Sequence, residues 1–507
     1  MSDVTIVAPG TRIQNLLDRA GFRGFPWKTA TILYTISWGW LFIVRDSLWS
    51  DDWTMYADFD IFPWRDLGFA PWAPLSVKVA QVVGLSGFRG IVFFCFFASA
   101  ILLYGISSKF WMINHLQRGQ LVLLFLLLPF NTARVALFSF IYAMSYLLFF
   151  AAWYLLLRGR KDLYYFCLIL FFLSFQMHSL LAFHLIPVAH LLLVSNIKHL
   201  RDLFLVLKAN SLLVVLPLIY WVLRAIFWPE KRPYHNVSFS RAISALPFVV
   251  VVLLVCGCLG ILYKKTKPKT QKNILILLSG SIALAMGMLA YVIYGFFSTN
   301  RFIFLQYFYA LLGRSDWYSR HQSLQPLGVA LLIVGIIPVL QKFLTKFTSQ
   351  FQVLILAVCV VFNISFGFEY VTDYSKQREV NSELNEKIDS KYVKNYQFID
   401  QTILLNARGR PYRERDWKGL IWLAYGVEAA KSSRIATTCE PQSDTRLVLI
   451  QGPETHWQAL KNWVRDRDMG FKVTVDDTPG ACKPEMVTAE RVSGAIPILF
   501  YFTGAKN

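Results

Sequence analysis

The sequence predicts an α-helical polytopic membrane protein with about eleven transmembrane helices and a small α/β domain at its C-terminal end. Three observations predict it. Of 507 residues, 55% are hydrophobic and only 16% charged, where soluble chains carry about a quarter charged residues. The apolar residues gather in runs of roughly 16 to 24, the length that a hydrocarbon core about 30 Å thick demands. Such runs must be helical where no water serves the backbone. Finally, every short loop that falls on the cytoplasmic side is net basic, as cytoplasmic loops are.

The net charge of +20 sits largely in those alternate loops, so it argues for orientation in a bilayer and against a nucleic-acid partner. Residues 1–28 read as a cytoplasmic segment. They are polar, carry Arg12, Arg19, Arg23 and Lys28, and lack the apolar core and cleavage site of a secretory signal.

Residues 29–368 read as the transmembrane domain. The first span runs from about Thr29 to Val44 and leads into a long external loop, 46–87, which holds Asp46, Asp51, Asp52, Asp58, Asp60 and Asp66 and is rich in Trp and Pro. The second span, about Gly90 to Ser107, returns to Lys109, His115 and Arg118. The third, about Gln120 to Phe130, ends in a turn that puts Arg134 near the outer face. The fourth comes back to Arg158, Arg160 and Lys161. The fifth (Leu163 to Gln176) and sixth (Leu180 to Val194) bracket Met177-His178-Ser179 outside and lead to Lys198 and Arg201 inside.

A seventh span reaches an external loop with Arg232, His235 and Arg241. The eighth ends in Lys264, Lys265, Lys267, Lys269 and Lys272, the strongest internal signal. The ninth leads to a long outer loop, Gly295 to Pro326, carrying Arg301, Arg314, Asp316, Arg320 and His321. The tenth returns to Lys342 and Lys346, and the eleventh, Phe351 to Phe368, exits again.

From Glu369 the composition becomes that of a soluble protein, so 369–507 read as an external, periplasmic α/β domain. Tyr374 to Asn395 has the mixed pattern of a surface helix, and Trp417 to Lys431 that of an apolar-faced helix. A strand from Arg446 to Gly452, a helix from His456 to Asp466 and a strand from Phe471 to Val475 follow in β-α-β order. Ala495 to Phe502 is too short to span and reads as a strand or an interfacial segment.

Cys95, Cys167, Cys256, Cys258 and Cys359 lie in spans and read as small core residues. Cys439 and Cys482 lie in the domain placed outside, where disulfides persist, and are expected to pair.

Chemistry concentrates on the outer side. In Trp49-Ser-Asp-Asp-Trp53 two adjacent carboxylates meet the membrane surface, which is costly unless they are solvated, paired or bound to a cation. Neighbouring side chains diverge, so Asp51 and Asp52 are suited to different tasks: one to take a proton from a hydroxyl, the other to hold a divalent cation through hard oxygens, pair with an arginine or cap a helix. A purely structural reading makes the pair a cap for an interfacial helix. External basic residues run against the charge rule and need a reason. Arg134, Arg232, Arg301, Arg314, Arg320 and His321 are such residues, and guanidinium suits phosphate through paired hydrogen bonds. A solvated loop charge, or a pair with Asp316 or Glu230, is the plain alternative for each. His178 reads as a structural hydrogen bonder or a further donor-site residue; His184 and His190 read as core or interfacial.

In layout the chain resembles the GT-C superfamily of membrane glycosyltransferases, which use polyprenyl-linked sugar donors. Those enzymes have many spans, a long first external loop with an essential Asp or Glu near its start, and often a C-terminal external domain. The likeness covers about Thr29 to Phe368, and Asp51 and Asp52 occupy the acidic position. It implies a GT-C-like fold, a carboxylate base and a phosphate-bearing lipid donor. A second likeness joins Asn131-Thr-Ala-Arg134 to Met177-His178-Ser179, which resemble the Arg and Phe-His-Ser pattern of bacterial polysaccharide-polymerase proteins. Gln176-Met177 replaces the usual aromatic run.

The chain has no phosphate loop, no Gly-rich dinucleotide turn and no clustered Cys/His pattern. The expected function is transfer of a sugar from a polyprenyl phosphate or diphosphate to a glycan or lipid-linked acceptor outside the bacterial cytoplasmic membrane. Glycan polymerisation, lipid or glycan transport and O-acyl transfer through His178 are the alternatives.

Overall fold

The computed structural model describes residues 24–45, 72–137, 139–195, 199–229, 246–266, 268–293, 322–340 and 348–388. It also describes Phe22, Ser47, Trp49 and, further on, segments 396–400, 414–426, 434–436, 446–451 and 472–476 with isolated neighbours. The described helices are α1 (Trp27–Trp38), α2 (Ala73–Ser107), α3 (His115–Leu127), α4 (Ser139–Leu156), α5 (Tyr164–Ser174), α6 (Ser179–Phe183), α7 (Leu185–Val194), α8 (Leu200–Ala209), α9 (Ser211–Phe227), α10 (Leu246–Lys265), α11 (Pro268–Ile293), α12 (Gln325–Leu340), α13 (Thr348–Lys387) and α14 (Glu414–Tyr425).

This is a helical membrane protein. Gln81–Ser107, Ser139–Leu156, Thr270–Met288 and Gln350–Lys387 are long and apolar enough to cross a bilayer, and α8 with α9, bent by 54°, makes a fifth span if counted as one. Tyr164–Ser174, Ser179–Val194 and Gln325–Val339 are shorter apolar helices. Phe94, Leu253 and Val353 are 64%, 65% and 66% exposed, as side chains facing lipid are and as a water-facing surface of this extent seldom is.

Three expectations are refined. The second half of the expected 46–87 loop is partly helical. Helix α2 begins at Ala73 and breaks at Gly84, whose φ of 74° and ψ of 171° are open to a residue without a Cβ. The third span starts earlier than expected, at His115. A capping box sets that start: Asn114 Oδ1 accepts from Gln117 N at 2.9 Å, and Gln117 Oε1 accepts from Asn114 N at 3.0 Å. The change of composition at Glu369 is not a break in structure. Helix α13 runs through it for 40 residues, about 60 Å at the helical rise, so the expected surface helix is the tail of the last span.

Helix ends sort into two sets. At one end Phe22 stacks on Tyr154 (5.4 Å) and Phe110 on His190 (3.7 Å). At the other, Trp72 Nε1 donates to Leu173 O at 3.1 Å and Asn363 Nδ2 to Leu127 O at 2.7 Å. Antiparallel α11 and α12 pack most closely of all. A Cβ on Gly328 would fall 2.4 Å from Leu284 N, and one on Gly280 would fall 2.8 Å from Leu332 N. Small residues let backbones approach where lipid offers no hydrophobic drive.

Beyond the bundle, β1 (Tyr396–Asp400), β2 (Arg434–Ala436), β3 (Arg446–Gln451) and β4 (Lys472–Asp476) form a sheet in the order β2-β1-β3-β4. Strand β1 is parallel to β2 and β3, and β4 is antiparallel to β3. Val380, Leu384 and Ile388 from the tail of α13 share a core with Phe398, Trp417, Leu420, Ile421, Val448 and Val473. The expected strands at 446–452 and 471–475 are present as β3 and β4, and Gln458, Lys461, Asn462 and Arg465 between them are helical. The parallel crossover, however, is β1-α14-β2, built on two strands that the sequence reading did not pick out. Ala495 to Phe502 lies outside the described residues.

Candidate functional site

Two buried arginines organise the end of the bundle from which the first loop departs. The guanidinium of Arg89, fully buried, collects carbonyls. Its Nε donates to Val135 O at 3.1 Å and Nη1 to Arg45 O at 2.5 Å, while Val44 O and Ser47 O accept from Nη1 and Nη2. Val44 follows the 3-10 turn Gly39–Phe42 that comes after α1, where carbonyls without helical partners favour a cation. The indole of Trp49 lies 4.9 Å from the same guanidinium carbon. Trp49 Nε1 donates to Asp373 Oδ2 at 2.9 Å, and the Trp49 ring meets Tyr370 edge-on at 5.3 Å. Asp373 also lies 3.5 Å from Lys376 Nζ, both side chains being buried. Tyr370 stacks on Trp40 at 5.1 Å and 6°.

The second arginine is Arg134. Asn131, at φ 55°, turns the chain after α3 into the 3-10 segment Thr132–Val135. Rather than lying at the surface as a loop charge, Arg134 is buried. Its guanidinium carbon stands 3.8 Å from the Trp38 ring centroid and 4.3 Å from that of Phe96. Nη2 reaches Phe130 O at 3.4 Å, while Nε and Nη1 have no hydrogen-bond acceptor. Arg134 has no salt bridge among the described residues. Cation–π contact is worth about 2 kcal/mol when desolvated, whereas burying the charge costs several. Among the described residues the Tyr34 hydroxyl is a further electrostatic partner, and no carboxylate offsets the Arg134 charge.

Both arginines meet at one turn. Arg89 binds the carbonyl of Val135, next to Arg134, and the carbonyls that lead to Trp49, two residues before Asp51. The arrangement ties the root of the acidic loop to the turn that holds Arg134.

His178 precedes α6 and is half-buried, its ring 6.4 Å from that of Tyr220. His184 shares a hydrogen bond with Leu213 O at 3.0 Å. Trp153 Nε1 donates to His190 Nδ1 at 3.2 Å. These last two are core side chains, as the sequence indicated. Asp51, Asp52, Arg232, Arg301, Arg314, Arg320, His321, Cys439 and Cys482 lie outside the described residues. No group of three or more His, Cys, Asp or Glu converges among the described residues, and the divalent-cation expectation concerns Asp51 and Asp52 alone.

Sequence reasoning missed Arg89, Asp373 and Lys376. Arg89 stands between Phe88 and an apolar run, and a lone arginine in such a place marks a buried role. Asp373 and Lys376 carry the i,i+3 spacing of a helical ion pair. No family model, curated protein or solved structure matches the chain.

Proposed function

We propose that the protein is a membrane glycosyltransferase that moves a sugar from a polyprenyl phosphate or diphosphate to a glycan or lipid-linked acceptor. The observation that carries this reading is the buried guanidinium of Arg134, with two unused donors and no carboxylate partner among the described residues, held at the turn that Arg89 ties to the acidic loop. A buried cation with unused donors suits an anion, and guanidinium suits phosphate.

In this reading Asp51 or Asp52 takes the proton of the acceptor hydroxyl as its oxygen bonds to the anomeric carbon with inversion. The anomeric carbon–phosphate oxygen bond breaks, and Arg134 meets the charge left on the lipid phosphate. Arg232, Arg301, Arg314, Arg320, His321 and His178 are the further donor-site candidates. The topology that goes with it has eleven spans in the bacterial inner membrane, the N-terminus cytoplasmic, and the C-terminal domain periplasmic with Cys439 and Cys482 paired.

Asp51→Asn and Asp52→Asn, purified in lipid and given a radiolabelled sugar on polyprenyl phosphate, test the reading. At least one should lose roughly a hundredfold or more of product formation, the scale of a lost general base. Full activity in both overturns the mechanism.

A further inference from the structure

We propose that Asp373 is a positioning residue: by accepting the Trp49 indole N–H it clasps the root of the acidic loop to the last helix of the bundle. The inference rests on the glycosyl-transfer reading only for its consequence, since the clasp itself stands on contacts. Trp49 is buried, and its N–H finds a carboxylate 324 residues away in sequence at 2.9 Å. Two further contacts locate the ring, Tyr370 edge-on at 5.3 Å and the Arg89 guanidinium at 4.9 Å, and Tyr370 is itself backed by the stacked Trp40. Close packing holds the helix there, since a Cβ on Gly367 would fall 2.3 Å from Trp40 Cδ1. A buried carboxylate needs charge and hydrogen bonds to offset its desolvation, and Lys376 and Trp49 supply both.

The clasp lies on α13, whose tail enters the core of the sheet through Val380, Leu384 and Ile388. Lys387 Nζ also donates to Val473 O at 2.6 Å. One continuous helix therefore touches both the loop root and the C-terminal sheet, and the loop root takes its place from that helix.

Removing Asp373 alone would take a carboxylate from Lys376, so paired variants are compared. Asp373→Asn with Lys376→Met keeps an oxygen acceptor for Trp49; Asp373→Leu with Lys376→Met does not. Trp49→Phe removes the donor and keeps a ring against Tyr370. Each is made with Ser47→Cys, a position buried beside the clasp, and thiol labelling by a water-soluble maleimide is followed at the Ser47 peptide by mass spectrometry.

The Leu pair and Trp49→Phe should label about tenfold faster than the parent, the scale of one charge-assisted hydrogen bond, and lose kcat with KM for the lipid-linked donor little changed. The Asn pair should stay near the parent in both. Equal labelling across all variants overturns the clasp, whatever the activity. If labelling follows this order while the parent transfers no sugar from a polyprenyl-phosphate donor, the clasp stands and the glycosyl-transfer reading fails.

Discussion

Arg89 and Arg134 are both buried arginines in a membrane protein, and their surroundings set opposite expectations. Arg89 has four carbonyl acceptors, and Arg134 has one long bond and two aromatic faces. Replacing a buried hydrogen-bonded charge leaves its partners stranded, so Arg89→Met should destabilise by about 3–5 kcal/mol. Arg134→Met removes a desolvated charge that no carboxylate among the described residues offsets, so its thermal unfolding midpoint in detergent should equal or exceed that of the parent. Thermal unfolding of the two variants side by side checks this, and equal destabilisation would mean that Arg134 has a compensating partner. Arg134 was legible as a candidate because, in the expected topology, it falls on the outer side and breaks the charge rule. Its aromatic enclosure was not, because Trp38 and Phe96 belong to other helices, α1 and α2, and carry no sequence mark of their meeting.

At the scale of elements, four or five spans among the described residues were legible from hydropathy, and their interruptions were not. A run of apolar residues reads the same whether the helix is straight, kinked at Gly84 or split as in α8 and α9. The capping box at Asn114 and Gln117 is a signal that was available and went unused. Strands β1 and β2 are short, at five and three residues, too short for periodicity to show. Helix α13 is the reverse case: its composition changes at Glu369, and the helix continues because its tail exchanges lipid for the sheet core. The glycine contacts between α11 and α12 give a sharp expectation. Gly328→Ala puts a methyl into Leu284 backbone and should cost about 1–3 kcal/mol, as overpacking does. Gly257→Ala in α10, with nothing within 4 Å, should be neutral or gain a few tenths of a kcal/mol from helix propensity. Denaturation of both variants in the same detergent measures the contrast. Equal midpoints would mean that the two helices separate without loss.

For the whole molecule, membrane residence followed from composition, and four or five helices among the described residues are long and apolar enough to cross a bilayer. Contacts of Phe22 with Tyr154 and Phe110 with His190 gather one set of ends, and Arg89 with Trp49 gathers the other. The proposed function rests in the sequence on a pattern of acids and arginines alone, because the groups that would meet a substrate come from loops far apart in sequence. What long-range structure adds is the clasp, which joins residues 49, 89 and 373, and the charge deficit at Arg134. The central claim is that this deficit is met by a lipid phosphate. Native mass spectrometry of the purified protein with added polyprenyl phosphate measures it directly. One carrier bound per parent chain and none on Arg134→Met is the expected result; equal occupancy of parent and variant would contradict it.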